Sequence, residues 1–281
     1  MHELFLTAHI GNDALHRAVR ILQGYCAMQP QHHLYRRLMF EGPKARTNLK
    51  GLDPAFIMSQ PPAKINLWRG LHEQLLRQSY VITLIYEVDG KDFGKAPTEE
   101  PGQDVKLDDP ARQRSDIRPG TLRWNELPDP AGTRPVNTRL MLQIDNERDL
   151  ITTTQSQLGY SFSRQFIHEC YRFVHGNAMF ELSRYLQLPE EGESTQPEDL
   201  LGALPPFESL TPFDGEDKWI LTISAKVLNG NDPDQMQQGI GELMTIKTEF
   251  EGCFDFHTVA RHTLDTRLKV ENWMGQMVLV S

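Results

Sequence analysis

Hydrophobic and polar residues alternate with a period of two along many short segments of this chain, the spacing that sends successive side chains of a β-strand to opposite faces. In "HELFLTAHI", Leu4, Leu6, Ala8 and Ile10 share one face, and Glu3, Phe5, Thr7 and His9 share the other. "NTRLMLQID" sets Leu140, Leu142 and Ile144 against Arg139, Gln143 and Asp145, and "KWILTISAKV" sets Trp219, Leu221, Ile223, Ala225 and Val227 against Thr222, Ser224 and Lys226. "SYVITLIYEV", with Tyr80, Ile82, Leu84, Tyr86 and Val88 in register, is apolar on nearly both faces. That pattern predicts burial on two sides, within the fold or at an interface. Weaker alternation predicts further strands at 33–41 and 121–127.

Helical spacing interrupts the strands. In "NDALHRAVRILQG" a stripe of Leu15, Ala18, Val19 and Leu22 follows Asn12, whose side chain is suited to accept from first-turn amides, and Gly24 suits a left-handed residue after the end. "DPDQMQQGIGELMTIK" begins with Asp232 as cap and Pro233 at the first helical position, and Met236, Ile240, Leu243 and Met244 form its apolar face. Gly239 and Gly241 weaken that helix by about 1 kcal/mol each relative to alanine. A third, shorter helix is expected near 147–158, ending at Gly159.

The stretch "FIHECYRFVHGNAMFELSRYL" brings His168, Cys170 and His175 close together, as a metal site or an activated thiol would. Gly176-Asn177, however, is a Gly-first turn pair of the kind that joins two strands with matching twist. Folding the chain there puts Phe173 opposite Phe180, Tyr171 opposite Leu182 and Ile167 opposite Leu186. It also matches Arg172 with Glu181 and Glu169 with Arg184, His168 with Tyr185, and Cys170 with Ser183. Two opposite-charge matches in one register, each worth about 0.2–1 kcal/mol, mark the register as self-consistent. His175 then points away from His168 and Cys170, leaving too few ligands for zinc, so the stretch reads as a long hairpin.

Many alternating strands and two or three helices predict an α+β fold, a curled antiparallel β-sheet forming a barrel-like tunnel with helices packed outside. Residues 90–120 and 188–217 are rich in proline, glycine and charge and read as unstructured loop insertions in a single domain spanning 1–281. Of the 281 residues, 39% are hydrophobic and 24% charged, which is ordinary for a globular protein. The formal charge of -9 disfavours direct binding to nucleic acid. Cys26, Cys170 and Cys253 are widely spaced without a CxxC pair, which suits a reducing compartment, cytosol or nucleus. The N-terminus lacks the basic region of a signal peptide, and no stretch approaches the roughly 18 apolar residues of a spanning helix, so no membrane role is expected.

Chemical motifs are sparse. HExxH, GxSxG, GxxxxGK[ST] and a GxGxxG following a strand are all missing, so no catalytic set, metal or cofactor is expected. His32, His33, His257 and His262 read as surface or barrel-face histidines without neighbouring carboxylates to orient them. A tunnel enzyme acting on triphosphate would need two acids and a base at alternate strand positions, the carboxylates holding a hard cation and the lysine a phosphate. "DGEDK" offers Asp214, Glu216 and Lys218 at that spacing, but Pro212 and Gly215 mark a loop. "EFEGC" has Glu249 and Glu251 with Cys253 where the lysine belongs, and the first strand offers one acid, Glu3. A metal-dependent triphosphate phosphohydrolase of the tunnel type stands as the alternative reading, and an RNA-binding barrel as a third.

Several strings together resemble a known family. "MHELFLTA", the helix ending "ILQGYCAMQP", the strand ending "LMFEGP" and "LWRGLHEQLLRQSYVITLIYEV" look like fungal members of the Mediator subunit 18 family, from the complex linking activators to RNA polymerase II. The hairpin from Gly159 to Pro189, the strand from Lys218 with its following helix, and "LDTRL" (264–268) share the likeness, whereas "ENWMGQMVLVS" after Lys269 and Val270 does not match clearly. The resemblance implies a barrel related in fold to triphosphate-tunnel enzymes but lacking their activity. It further implies a nuclear scaffold and coactivator subunit of the Mediator head module. The expected partners are Mediator subunit 20, as a heterodimer of similar folds, and a helix from the C-terminal part of subunit 8, with contact to RNA polymerase II only indirect.

Overall fold

The computed structural model describes residues 1–94, 118–189 and 200–269. Among the described residues, nine strands lie in one antiparallel sheet: β1 (His2–Ile10), β2 (Gln31–Glu41), β3 (Val81–Val88), β4 (Gly120–Asn125), β5 (Asn137–Glu147), β6 (Ser161–His175), β7 (Ala178–Gln187), the two-residue β8 (Thr211–Pro212) and β9 (Trp219–Val227). The order is β6-β2-β3-β4-β5-β1-β9-β7-β8, and β6 also pairs with β7. That last pairing closes eight strands into a barrel, leaving β8 as an appendage on β7. The expected curled sheet therefore rolls up completely, which removes its open edges.

The β6–β7 hairpin has the register read from its turn: Ile167 faces Leu186, Glu169 faces Arg184, Arg172 faces Glu181, and Phe173 faces Phe180. Gly176 takes the positive φ of 58° that the turn requires of its first residue. On the barrel's outer side, helices cover much of the strands' apolar face. Helix α1 (Leu15–Cys26) and the long C-terminal helix α5 (Pro233–Glu249) pack over Leu4, Leu6, Phe180, Leu221 and Ile223. On the other flank, α2 (Pro54–Met58) and α3 (Pro62–Arg77) pack over Leu38, Ile82, Leu84, Leu122 and Ile144. A short α4 (Leu150–Thr152) runs into a π-turn at Thr153–Gln157 and ends before Gly159, which has φ 68°.

Several expectations need correction. Helix α3 was not legible as a helix, although Trp68, Leu71 and Leu75 recur at helical spacing and are fully buried. Helix α1 runs through Gly24 to Cys26, and Ala27 takes the left-handed conformation instead. Ala18, Leu22 and Cys26 form a buried i, i+4, i+8 stripe, and seating Cys26 in the core carries the helix past the glycine. Asn12 does not cap the first turn; its side chain accepts a hydrogen bond from Trp219 Nε1 at 3.2 Å. Asp232 does cap α5, accepting from the amides of Asp234 and Gln235. Gly239 of α5 permits close approach to the barrel, since a Cβ there would stand 2.7 Å from Leu4 Cδ1.

Residues 200–212, expected to be unstructured, pack against the barrel. Leu204 and Leu210 are buried with Leu34, Ile167 and Leu186, and Arg36 donates to Gly202 O at 2.7 Å. Residues 190–199 of that stretch, the greater part of 90–120 (95–117), and the segment after Lys269 lie outside the described residues. A C-terminal strap fills gaps in the wall: Thr7 and His257 exchange backbone hydrogen bonds, Asn137 bonds Val259, and Leu268 N donates to Ser79 O.

Candidate functional site: the interior of the barrel

Alternation that buries leucines and isoleucines outside sends the polar half of each strand inward. Glu3 and Phe5 come from β1, Tyr35 and Arg37 from β2, Arg123 from β4, Arg139 from β5, His168, Cys170 and Arg172 from β6, and Glu181 and Tyr185 from β7. Arg123 is electrostatically coupled to Glu181 and Tyr185 on the opposite side of the ring of strands, so these side chains share the enclosed face.

Each of the glutamates deepest in this lining is neutralised by arginine. Glu3 accepts from Arg123 Nη2 at 2.8 Å and from Arg139 Nε at 2.7 Å. Burial pushes its carboxyl upward, but the two guanidinium groups outweigh that effect and hold it down to about 2. Glu181 accepts from Arg172 Nη2 at 2.7 Å. Beside them, His168 is 2% exposed, sandwiched between the rings of Tyr35 at 5.8 Å and Tyr185 at 5.0 Å. Burial, reinforced by Arg37, Arg123 and Arg172, lowers its imidazole well below the ordinary histidine value, so the ring is neutral. Burial pushes the Cys170 thiol up to about 12, which leaves it protonated and a poor nucleophile.

The sequence-derived candidates separate in space. His168 and Cys170 do share the interior, while His175 is exposed outside, its ring 4.7 Å from Tyr25. Asp214, Glu216 and Lys218 occupy the exposed turn before β9, where Asp214 accepts from the amides of Glu216 and Lys218, and the Lys218 side chain pairs with Glu216. Glu249 accepts from Tyr25 Oη, and Glu251 and Cys253 are exposed beyond α5. Among the described residues, no group of three histidine, cysteine, aspartate or glutamate side chains converges to hold a metal.

His32 and His33 do have carboxylate neighbours, contrary to expectation: Nε2 of His32 is 3.0 Å from Glu169, and Nδ1 of His33 is 2.8 Å from Glu87. Both acids sit on adjacent strands, far away in sequence. The ring of His257 bonds a backbone oxygen, that of Asp255, and His262 is exposed. The arginines at 37, 123 and 139 were not singled out from sequence; the available signal was a basic residue at the polar phase of otherwise apolar alternation.

A closed antiparallel barrel with helices outside and ion-paired arginines inside defines a protein whose enclosed acids are committed to structure. The sequence model described as Med18 protein matches residues 2–267, and the chain belongs to that family. It is similar to "Mediator of RNA polymerase II transcription subunit 18" of Aspergillus oryzae, at 27% identity over 280 residues covering 96% of this chain and 100% of the relative. The protein of the same name from Aspergillus niger is 28% identical with the same coverage. Among solved structures, a chain of the Schizosaccharomyces pombe Mediator head module has the same fold, with a TM-score of 0.59 at 14% identity, covering 95% of this chain and 100% of that one.

Proposed function

We propose that this chain is a non-enzymatic scaffold subunit of the Mediator head module, binding other Mediator subunits and supporting regulated transcription by RNA polymerase II. The observation that carries this reading is family membership across residues 2–267, joined to a barrel interior whose acids are held by arginine. Glu3 and Glu181 cannot both serve a cation and keep these partners, because a hard divalent ion needs several free, converging oxygens.

The finer reading is that the chain acts as a single domain in the nucleus, pairs with Mediator subunit 20 and accepts a helix from the C-terminal part of subunit 8. The relatives' shared name and the matching fold in a head module support it. Co-expression with tagged subunit 20 and with the C-terminal part of subunit 8, followed by affinity capture, tests it. Both baits should retain the chain. A monodisperse chain that neither bait captures would overturn the partner assignment.

A further inference from the structure

Helices cover two flanks of the barrel, and an extended segment covers another. Over Leu34, Ile167 and Leu186 lie Leu204 and Leu210, with Phe207 partly buried beside them. The segment has the form of a peptide laid on a surface. Pro206 has the φ of -53° and ψ of 138° of a polyproline II helix, a 3₁₀ turn follows at Phe207–Ser209, and Leu210 returns to extended backbone. Leu204 O accepts from Gly94 N at 2.9 Å, the Phe207 ring meets that of Phe93 edge-on at 5.3 Å, and the two residues of β8 pair with Leu186 and Gln187. The wall beneath is complete without it, since β6 pairs with β2 from Ser161 to Arg172 and with β7 from Phe166 to His175. Lifting the segment would therefore uncover an apolar groove without breaking the barrel.

Beside this apolar floor sits a cation that the segment serves poorly. Arg36 is 5% exposed and donates from Nε to Gln165 Oε1 at 2.8 Å and from Nη1 to Gly202 O at 2.7 Å. Both acceptors are neutral, no carboxylate pairs with Arg36 among the described residues, and burial lowers its guanidinium to about 10. A carboxylate in place of the Gly202 carbonyl would make a stronger, charge-assisted bond, shielded from water.

We propose that the groove over Leu34, Ile167, Leu186 and Arg36 is a peptide-docking site held shut in cis by residues 200–212, and that it takes from a partner protein a short extended peptide bearing leucine, proline and a carboxylate. The occupant's chemistry is read from the segment itself. Leucines fill the apolar floor, proline presets the backbone at low entropic cost, and an acid replaces the neutral acceptor that Arg36 now has. The tethered segment competes at an effective concentration on the order of 1 mM, so a partner peptide binds in proportion to the fraction of chains in which the segment has lifted. The inference does not rest on the scaffold reading, and its test uses no other Mediator subunit.

Fluorescence anisotropy of a labelled peptide with the sequence of residues 200–212, titrated with the full-length chain, tests this against a scrambled peptide. Binding to wild type should be weak. Leu204→Ala, which loosens the cis segment and leaves the groove intact, should bind at least about tenfold more tightly, and Leu210→Ala should do the same. A peptide carrying Gly202→Asp should bind the Leu204→Ala chain about fivefold more tightly than the native sequence does, a gain that disappears when Arg36→Gln is added. Hydrogen exchange of the wild-type chain gives a reading that needs no variant. The amides of Gly94 and Leu210, both hydrogen-bonded at this contact, should exchange at least about tenfold faster than those of the paired strands β2 and β6 beneath. Equal affinity of wild type and both loosened variants, no sequence-specific binding by any of them, no gain from the added carboxylate, or exchange of these amides in step with the strands would overturn the proposal.

Discussion

The two faces of β1 show two ways of holding one wall. Leu4, Leu6, Ala8 and Ile10 point outward into a dry layer beneath α1 and α5, where apolar contact is non-directional and tolerates small shifts. Glu3, two strands away from Arg123 and one from Arg139, points inward into a charged layer where each hydrogen bond has a required geometry. The outer layer holds the barrel to its helices, and the inner layer ties its strands to one another. Removing one partner has different consequences in each: a cavity outside, an uncompensated buried charge inside.

The largest effect expected from breaking this contrast is at Glu3. Glu3→Gln leaves Arg123 and Arg139 buried without a counter-charge and should cost about 3–5 kcal/mol in denaturant unfolding. A cost under about 1 kcal/mol, typical of an exposed ion pair, would show that the inner layer is wet and dispensable.

A smaller effect should come from pH. The folded state keeps His168 neutral under the influence of burial and of Arg37, Arg123 and Arg172, whereas the unfolded chain takes up a proton below about pH 6.5. Stability should therefore fall as pH drops through that value, with a slope approaching about 1.4 kcal/mol per pH unit from this group. Glu3 has the opposite sign of charge but the same direction of effect. Its depressed value contributes stability above about pH 4.5, which is lost on further acidification toward about pH 2. Chemical unfolding of His168→Phe between pH 5 and 7 should show a flatter profile than wild type; an unchanged profile would remove His168 from the account.

The outer layer offers the smallest and most selective change. Gly241 on α5 faces open space, so Gly241→Ala should stabilise the chain by up to about 1 kcal/mol through helix propensity. Gly239→Ala should fail to deliver that gain, because the added methyl meets Leu4. Equal gains at both positions would mean that α5 sits less tightly on the barrel than Leu4 requires.

Much of the wall was legible because a strand's pleat is a local property. Alternation marked β1, β3, β5 and β9, and one Gly-Asn turn was enough to place every pair in the β6–β7 hairpin. Helix α5 was equally legible from Asp232, Pro233 and its stripe. Helix α3 was missed because no side chain caps its start and Gly70 interrupts it, although the polar run Arg77-Gln78-Ser79 divides its stripe from β3. The interior was only partly legible: Arg172 and Glu181 face each other across one turn, so their pairing is local. Glu3 and Arg123, and likewise His33 and Glu87, are far apart along the chain and meet only after the sheet rolls up.

The order of residues along the chain by itself determined which side of each strand is apolar, where the hairpin turns and where the capped helix begins, since each depends on neighbours a few positions away. Only the tertiary structure decided that the polar sides face inward, that Arg37 meets no acid among the described residues, and that residues 200–212 lie against the wall. Ring closure brings together strands from distant parts of the chain, and the charge balance of an enclosed space is a sum over all of them.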